Sequence, residues 1–491
     1  MANAADDRIE RGAQAQSSDQ PREGGWGIVV VVAAHLSLAI QWGFQRAGGV
    51  LYLSWKEDFD TKDKETAAVQ SIFSSLSCFT GLFAGMLTDR LGCRVSGIIG
   101  GVLTSLGLFC SYWVTDIVQL YCTAAIIGIG MGICYNSIVV VVAIYFKRRY
   151  KIAHALVYAG VGTGIMAVPP LLQLLLESYG WRGTLLVASG ITANSIALSA
   201  LFRPNRAPVP PKSFKQPDLN HQGLTLRVRV HPETTKEDAT SGDHNSDEKS
   251  RHDEIEVTRQ AHRALPDSQT DLASVQSDPK NVNPVIIALK RVFVSLGFHL
   301  FVKSYRFTLM CAIQLESHIA YMGFVIYLVP RAQSVGVAPS NAAFLLSIFG
   351  IGSLLGRLGN GLLVSWRVSA EHVTAISMVI AGASLLLLNL EGYAIFAIAS
   401  FLHGLLSGIF FTVAIVLIHQ FVGVNKLAVG VGLNMIFVGI GSLTGPVFAG
   451  WILDMTDSSY QTVFYVLSAV YFICGVQMFL LPQLKRVEPG I

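Results

Sequence analysis

The stretch FLLSIFGIGSLLGRLGNGLLV, residues 344–364, is apolar or tiny almost throughout and carries one full charge, Arg357. A cation in mid-bilayer costs at least ~2.5–3.5 kcal/mol on insertion scales, so Arg357 is expected to face a protein interior or a water-filled cavity. A guanidinium there can hold a carboxylate through two parallel hydrogen bonds. The structural alternative is an arginine bonded to helix carbonyls or snorkelling to the interface. Arg46 ends a second apolar run, with Trp42 one turn earlier on the same face. It reads either as a second positive group beside an apolar wall or as a side chain reaching the headgroups. Glu316 is the acid that lies well inside an apolar run. His318, two residues on, points elsewhere on the helix, so the two form no dyad by themselves. Either could carry a proton or face Arg357; a polar contact between helices would use them equally well. His35, His154 and His403 also sit in apolar runs, where a satisfied structural contact is the commoner role of a lone histidine.

Composition removes several other chemistries. The 491 residues are 52% hydrophobic and 14% charged, with a net charge of +4, too small a bias for a nucleic-acid partner. The seven cysteines stand singly without a CxxC pair, so neither a zinc site nor a disulfide framework is expected. No HExxH or phosphate-binding loop occurs, and no apolar run holds the paired acids or Ser–His couple of an intramembrane enzyme. No cofactor is expected. Residues 1–25 are polar without an apolar core, so no cleavable signal peptide is expected there.

The elements that must position these residues are membrane helices. Apolar runs of roughly 20 residues, the length that crosses a bilayer, recur without a polar stripe. They predict an all-α membrane protein of twelve spans: 26–52, 66–85, 95–114, 120–144, 151–175 and 184–202, then 307–329, 341–364, 372–390, 393–419, 427–452 and 462–481. The halves are 26–202 and 303–482, with tails at 1–25 and 483–491. Between them, 203–302 is a loop whose charged stretch 235–256 has almost nothing to bury and reads as disordered. Its end, 285–301, is apolar around Lys290 and Arg291 and predicts an interfacial helix. Basic residues concentrate in the loops on one side, which places the termini and the long loop in the cytoplasm. FGIGSLLGR at 349–357 echoes VGIGSLTGP at 438–446, as two inverted triplets of spans would require. The glycines in these runs serve close helix packing rather than nucleotide binding.

GMLTDRLGCR at 85–94 resembles the signature loop of the major facilitator superfamily, matching at Gly85, Asp89, Arg90, Gly92 and Arg94. The resemblance implies a tight turn in which Asp89, Arg90 and Arg94 lock cytoplasmic helix ends and gate the cavity. A narrower resemblance starts at REGGWGIVVVVAAHLSLAIQWGFQRAGGVLY, 22–52, and continues in YFKRRYKIAHALVYAGVGTG, 145–164, YGWRG, 179–183, and GPVFAGWILDMTDSSYQTVFY, 445–465. These are similar to the monocarboxylate transporter family (solute carrier family 16). In that family an arginine of the eighth span binds the carboxylate, which implies that role for Arg357, with Arg46, Trp42 and Ser353 around the solute. Proton-coupled members carry an aspartate one turn before that arginine, where this chain has Ser353, and a small polar residue where it has His154. Serine cannot carry the proton. The resemblance therefore implies a major facilitator fold and a plasma-membrane secondary transporter of a small carboxylate-bearing solute, working by alternating access. Coupling to protons is expected to be absent or weak. The alternative is a proton-linked symporter in which Glu316, His318 or His154 has taken over the proton, or a transporter-like sensor. Lys147, Arg148 and Arg149 are expected to anchor and gate the cytoplasmic side. The bilayer and a single-span ancillary membrane protein are the implied partners.

Overall fold

A backbone without water to bond must satisfy its own donors and acceptors, which in a single apolar run leaves only the helix. In the computed structural model, which describes residues 25–146, 149–203, 300–363, 369–423 and 426–485, every regular element is helical. In order these are α1 (Trp26–Arg46), α2 (Gly48–Phe59), α3 (Asp63–Cys110), α4 (Ile117–Tyr145) and α5 (Tyr150–Ala200) in the first half. A short α6 (Leu300–Lys303) precedes α7 (Tyr305–Ser334), α8 (Pro339–Leu363), α9 (Ala370–Leu386), α10 (Tyr393–Val422), α11 (Leu427–Met455) and α12 (Tyr460–Leu484). Short 3-10 turns follow α3 and α9.

Two of these helices are double. α3 breaks at Gly92 (φ 82°) and α5 at Gly180 (φ 64°), left-handed conformations that favour a residue without Cβ. Each break turns the chain back across the membrane, so α3 supplies the second and third spans and α5 the fifth and sixth. With α1–α2 as the first span, the twelve expected spans are all present. The expected interfacial helix, the long loop, Lys147 and Arg148 lie outside the described residues, apart from Arg203 at the start of the loop and residues 300–302 of α6.

The echo between 349–357 and 438–446 has a structural counterpart. Gly352 and Gly356 of α8 press on the backbone of α10 at Phe401 and Leu405, while Gly441 and Gly445 of α11 press on that of α7 at Leu315 and Ile319. The first glycine of each copy meets the other half: a Cβ on Gly350 would reach Met166 N of α5 at 2.6 Å, and one on Gly439 the Phe79 ring of α3. Equivalent positions therefore make equivalent contacts, as expected of inverted triplets. The packing seats Ser353 and Arg357 on α8 between α10 and the first half.

Candidate functional site

Arg357 is half-buried, and its one hydrogen bond among the described residues runs from Nε to Ser353 Oγ, 3.3 Å away and one turn back. Among the described residues no carboxylate lies against it; Tyr321, Tyr158, Tyr135 and Arg46 stand about it. Tyr135 of α4 and Tyr158 of α5 share a short hydroxyl–hydroxyl hydrogen bond of 2.5 Å. His154 stacks on Tyr158 at 4.2 Å and Tyr150 tilts against His154 at 5.3 Å. The spacing of four puts Tyr150, His154 and Tyr158 on one face of α5, leading toward Arg357.

Arg46 does not reach the headgroups. It is 4% exposed, and its guanidinium carbon lies 4.9 Å from the Trp42 ring and 4.7 Å from the Tyr321 ring of the opposite half. Nη1 donates to Met322 Sδ at 2.8 Å, and Nε is buried without an acceptor. Trp42 in turn meets Tyr135 edge-on at 6.1 Å, which joins the surroundings of the two arginines. Of the expected substrate-binding residues, the structure thus brings together Arg357, Ser353, Arg46 and Trp42. Tyr135, Tyr158 and Tyr321 were not singled out from sequence. The i, i+4 spacing behind His154 was a usable signal for Tyr158; nothing local marked the other two.

The coupling candidates scatter. Glu316 turns to α12, accepting from Gln477 Nε2 at 3.1 Å with Cys474 Sγ at 3.7 Å. His318 Nδ1 donates to its own helix at the Gln314 carbonyl (2.8 Å), and its ring tilts on Phe411 at 4.9 Å. His403 is fully buried between Ser384 and Tyr471, and His35 sits against the Leu156 carbonyl and Thr163.

The two ends of the bundle differ. At the end holding the α2–α3 turn, the Asp454 carboxylate of α11 accepts from the backbone N–H groups of Asp63 (2.9 Å) and Lys64 (3.3 Å). It caps the α3 N-terminus from the opposite half. Lys56 bridges Asp63 at 2.8 Å, the Tyr52 hydroxyl bonds the same carboxylate, and Arg182 pairs with Asp58 at 3.0 Å. Tyr52 stands edge-on to Tyr327 of α7 at 5.2 Å, and a Cβ on Gly49 would meet the Ile326 carbonyl at 2.8 Å.

Among the described residues, the cross-half contacts at Asp454, Tyr52, Gly49 and Arg46 lie between this end and mid-depth, and the tight contact of Gly162 with Leu354 of α8 lies near the middle. Beyond mid-depth, a Cβ on Gly81, Gly85 or Gly359 would meet nothing. Asp89, Arg90 and Arg94, expected to lock helix ends there, are exposed and make no ion pair among the described residues. Arg149 is also exposed at that end. The halves are therefore braced against each other at the end holding the α2–α3 turn by contacts that the described residues named here do not repeat at the other end.

Comparison with known proteins agrees with this architecture. The family model described as Major Facilitator Superfamily matches residues 31–312 and 310–490. Human Monocarboxylate transporter 14 is 28% identical over 485 residues, covering 95% of this chain and 92% of that protein. Human Monocarboxylate transporter 12 is 26% identical over 472 residues, covering 94% and 80%. Among solved structures, the peptide transporter POT in complex with sulfate superposes with a TM-score of 0.68 at 14% identity, covering 97% of this chain and 99% of that one. A nucleoside transporter, NupG, gives 0.63 at 13% identity, covering 93% and 100%. At such identities the structural likeness speaks for the fold alone, and the fold is that expected from sequence.

Proposed function

Because the chain belongs to the Major Facilitator Superfamily, and so is a multi-pass secondary transporter rather than an enzyme, we propose that its cargo is a small solute bearing a carboxylate and that Arg357 is the anchor. One observation carries this reading: a half-buried guanidinium in mid-bundle whose terminal nitrogens have no protein acceptor among the described residues. A cation left so in a low-dielectric setting is costly unless an anion completes it. A carboxylate fits that edge with two parallel hydrogen bonds. Ser353 steadies Nε without neutralising the charge. The curated relatives are named monocarboxylate transporters, which is consistent with the same chemistry.

The concentration of basic residues in the loops of one side supports termini in the cytoplasm and the α2–α3 turn outside. In that orientation the present conformation is closed to the outside, and the solute reaches Arg357 from the cytoplasm past Tyr150, His154 and Tyr158. Glu316 faces α12 rather than Arg357, and Ser353 cannot carry a proton. Both favour facilitated or weakly coupled transport over proton symport. We place the protein in the plasma membrane, with a single-span ancillary protein as its membrane partner.

The test is uptake of a panel of labelled monocarboxylates and amino acids at matched surface abundance. Arg357→Gln is expected to abolish uptake. Arg357→Lys keeps the charge but loses the fork, and is expected to reduce uptake sharply. Unchanged uptake by Arg357→Gln overturns the assignment.

A further inference from the structure

Arg357 and Arg46 come from different halves and share one aromatic surround: Arg46 stacks on Trp42 and Tyr321, Trp42 meets Tyr135, and Tyr135, Tyr158 and Tyr321 stand about Arg357. The groups that face them are all neutral or weakly polar. Around Arg357 stand Tyr321, Tyr158, Tyr135 and Ser353; around Arg46 stand Trp42, Tyr321, Met322, Cys78 and His318. Neither set contains a carboxylate. The acid of this region, Glu316, is engaged with Gln477 and Cys474 of α12.

Each guanidinium also keeps one edge open. Arg357 uses only Nε, toward Ser353, so its terminal nitrogens have no acceptor among the described residues. Arg46 uses only Nη1, toward the soft sulfur of Met322; its Nε is buried and orphaned, and Nη2 has no protein acceptor there. The stacked rings of Trp42 and Tyr321 act on the faces of the Arg46 guanidinium, where the quadrupole attracts it. They do nothing for N–H groups in its plane, and a buried N–H without an acceptor carries its full desolvation cost.

A monocarboxylate on Arg357 would neutralise one cation and leave the other buried and uncompensated. A solute with two carboxylates neutralises both and fills both open edges. Resting on the carboxylate reading above, we propose that the cargo is a dicarboxylate that bridges the halves, one carboxylate on Arg357 of α8 and the other on Arg46 of α1. Trp42, Tyr135 and Tyr321 wall the stretch between the arginines and suit a short hydrocarbon linker. The Tyr135–Tyr158 hydroxyl pair offers neutral donors beside the Arg357 carboxylate.

The experiment uses the purified full chain in liposomes, with labelled saturated dicarboxylates from malonate to adipate and the monomethyl ester of each. An ester has the length of its parent and one charge fewer. The wild-type protein is expected to take up at least one dicarboxylate with an apparent affinity roughly tenfold or more above that of its monoester. Arg46→Gln is expected to bring that ratio close to one, and Arg46→Lys to keep part of it. Reading the ratio within each variant cancels differences in reconstitution. The wild-type comparison needs no variant, so it stands even where Arg46→Gln fails to fold. Monoesters equal to or better than their parents, with uptake abolished in Arg357→Gln, overturn the dicarboxylate assignment and leave the carboxylate reading intact. Inhibition by inorganic phosphate or a phosphate monoester, with no dicarboxylate recognised, overturns it as well. Absence of any Arg357-dependent carboxylate uptake removes both readings together.

Discussion

The closed end and the middle of the bundle treat charge in opposite ways. At the closed end the ion pairs of the described residues gather: Lys56 holds Asp63 and Arg182 holds Asp58, while Asp454 meets the positive end of a helix and Arg331 bonds the Leu388 carbonyl. In the middle, two arginines stand with no acid paired to either among the described residues. The first arrangement pairs charges within the first half and joins the halves through the Asp454 cap. The second is incomplete, and an unpaired buried charge persists only where something outside the chain completes it. On the function proposed above, closure and cargo fall to separate sets of residues, and each set can be perturbed without touching the other.

The largest effect outside the arginines is expected at Gly49. Its Cβ position faces the Ile326 and Val325 carbonyls of α7 at 2.8 and 3.0 Å, backbone atoms that cannot swing aside. Gly49→Leu forces the halves apart at that end. Overpacking of this kind costs ~1–3 kcal/mol, which depletes the closed state roughly 5- to 150-fold. Transport cycles through that state, so uptake is expected to fall close to background with surface levels kept, and Gly49→Ala to lie between. Normal uptake by Gly49→Leu would mean that the closed end is no gate.

Ser353→Asp converts the middle into a copy of the closed end. An acid one turn before Arg357 occupies the guanidinium that the solute needs, as Ser353 Oγ already lies 3.3 Å from Nε. The solute must then displace an ion pair, and apparent affinity is expected to fall roughly tenfold, the weight of a hydrogen bond to a charged group. Equilibrium binding to the purified variant checks this. Unchanged affinity would show that Arg357 meets its ligand from a direction Ser353 does not share.

A smaller, opposite shift is expected from Asp454→Asn. The amide keeps an acceptor for one of the two N–H groups but loses the charge at the α3 N-terminus, worth ~0.3–1 kcal/mol and up to ~2 kcal/mol when partly buried. The closed state weakens, and the conformation open on that side gains population. Apparent affinity measured from that side should improve by a few fold, since it scales with the competent fraction. Weaker affinity from that side would contradict a latch.

How much of this was legible follows from distance along the chain. The spans could be read because apolar length is a local property, and the breaks at Gly92 and Gly180 lay inside motifs that could be quoted. Ser353 and Arg357 were legible as a pair because one helical turn separates them. Arg46 was visible, but its stacking partner was not, since Tyr321 and Met322 belong to the opposite half and Met322 is 276 positions away. The Asp454 cap joins residues 391 apart and leaves no periodic trace in a single sequence. A lock was expected at 85–94. In this conformation the closing contacts form at the other end, and a gate that opens and shuts cannot be assigned a state from sequence.

The smallest expected effect is that of a proton gradient, and it tests whether the middle stays uncompensated through the whole cycle. Symport needs a group that takes up a proton with the solute and passes it across. Ser353 cannot, and Glu316 is tied to Gln477 of α12, away from Arg357. His318 donates Nδ1 to its own helix, and His154 stacks on Tyr158. An imposed inward gradient should therefore do little beyond changing the ionisation of the solute itself. Uptake is to be compared with the gradient imposed, reversed and collapsed, in wild type and in Glu316→Gln. Similar accumulation in all three conditions leaves the charge balance of the site to the cargo alone. Strong proton-driven accumulation that disappears in Glu316→Gln would mean that this carboxylate leaves α12 during the cycle and supplies the missing negative charge. Strong accumulation surviving that change would turn attention to His318 and His154, with Gln at each as the next comparison. In either case the contrast between the two regions would hold only for the conformation closed at the α2–α3 turn.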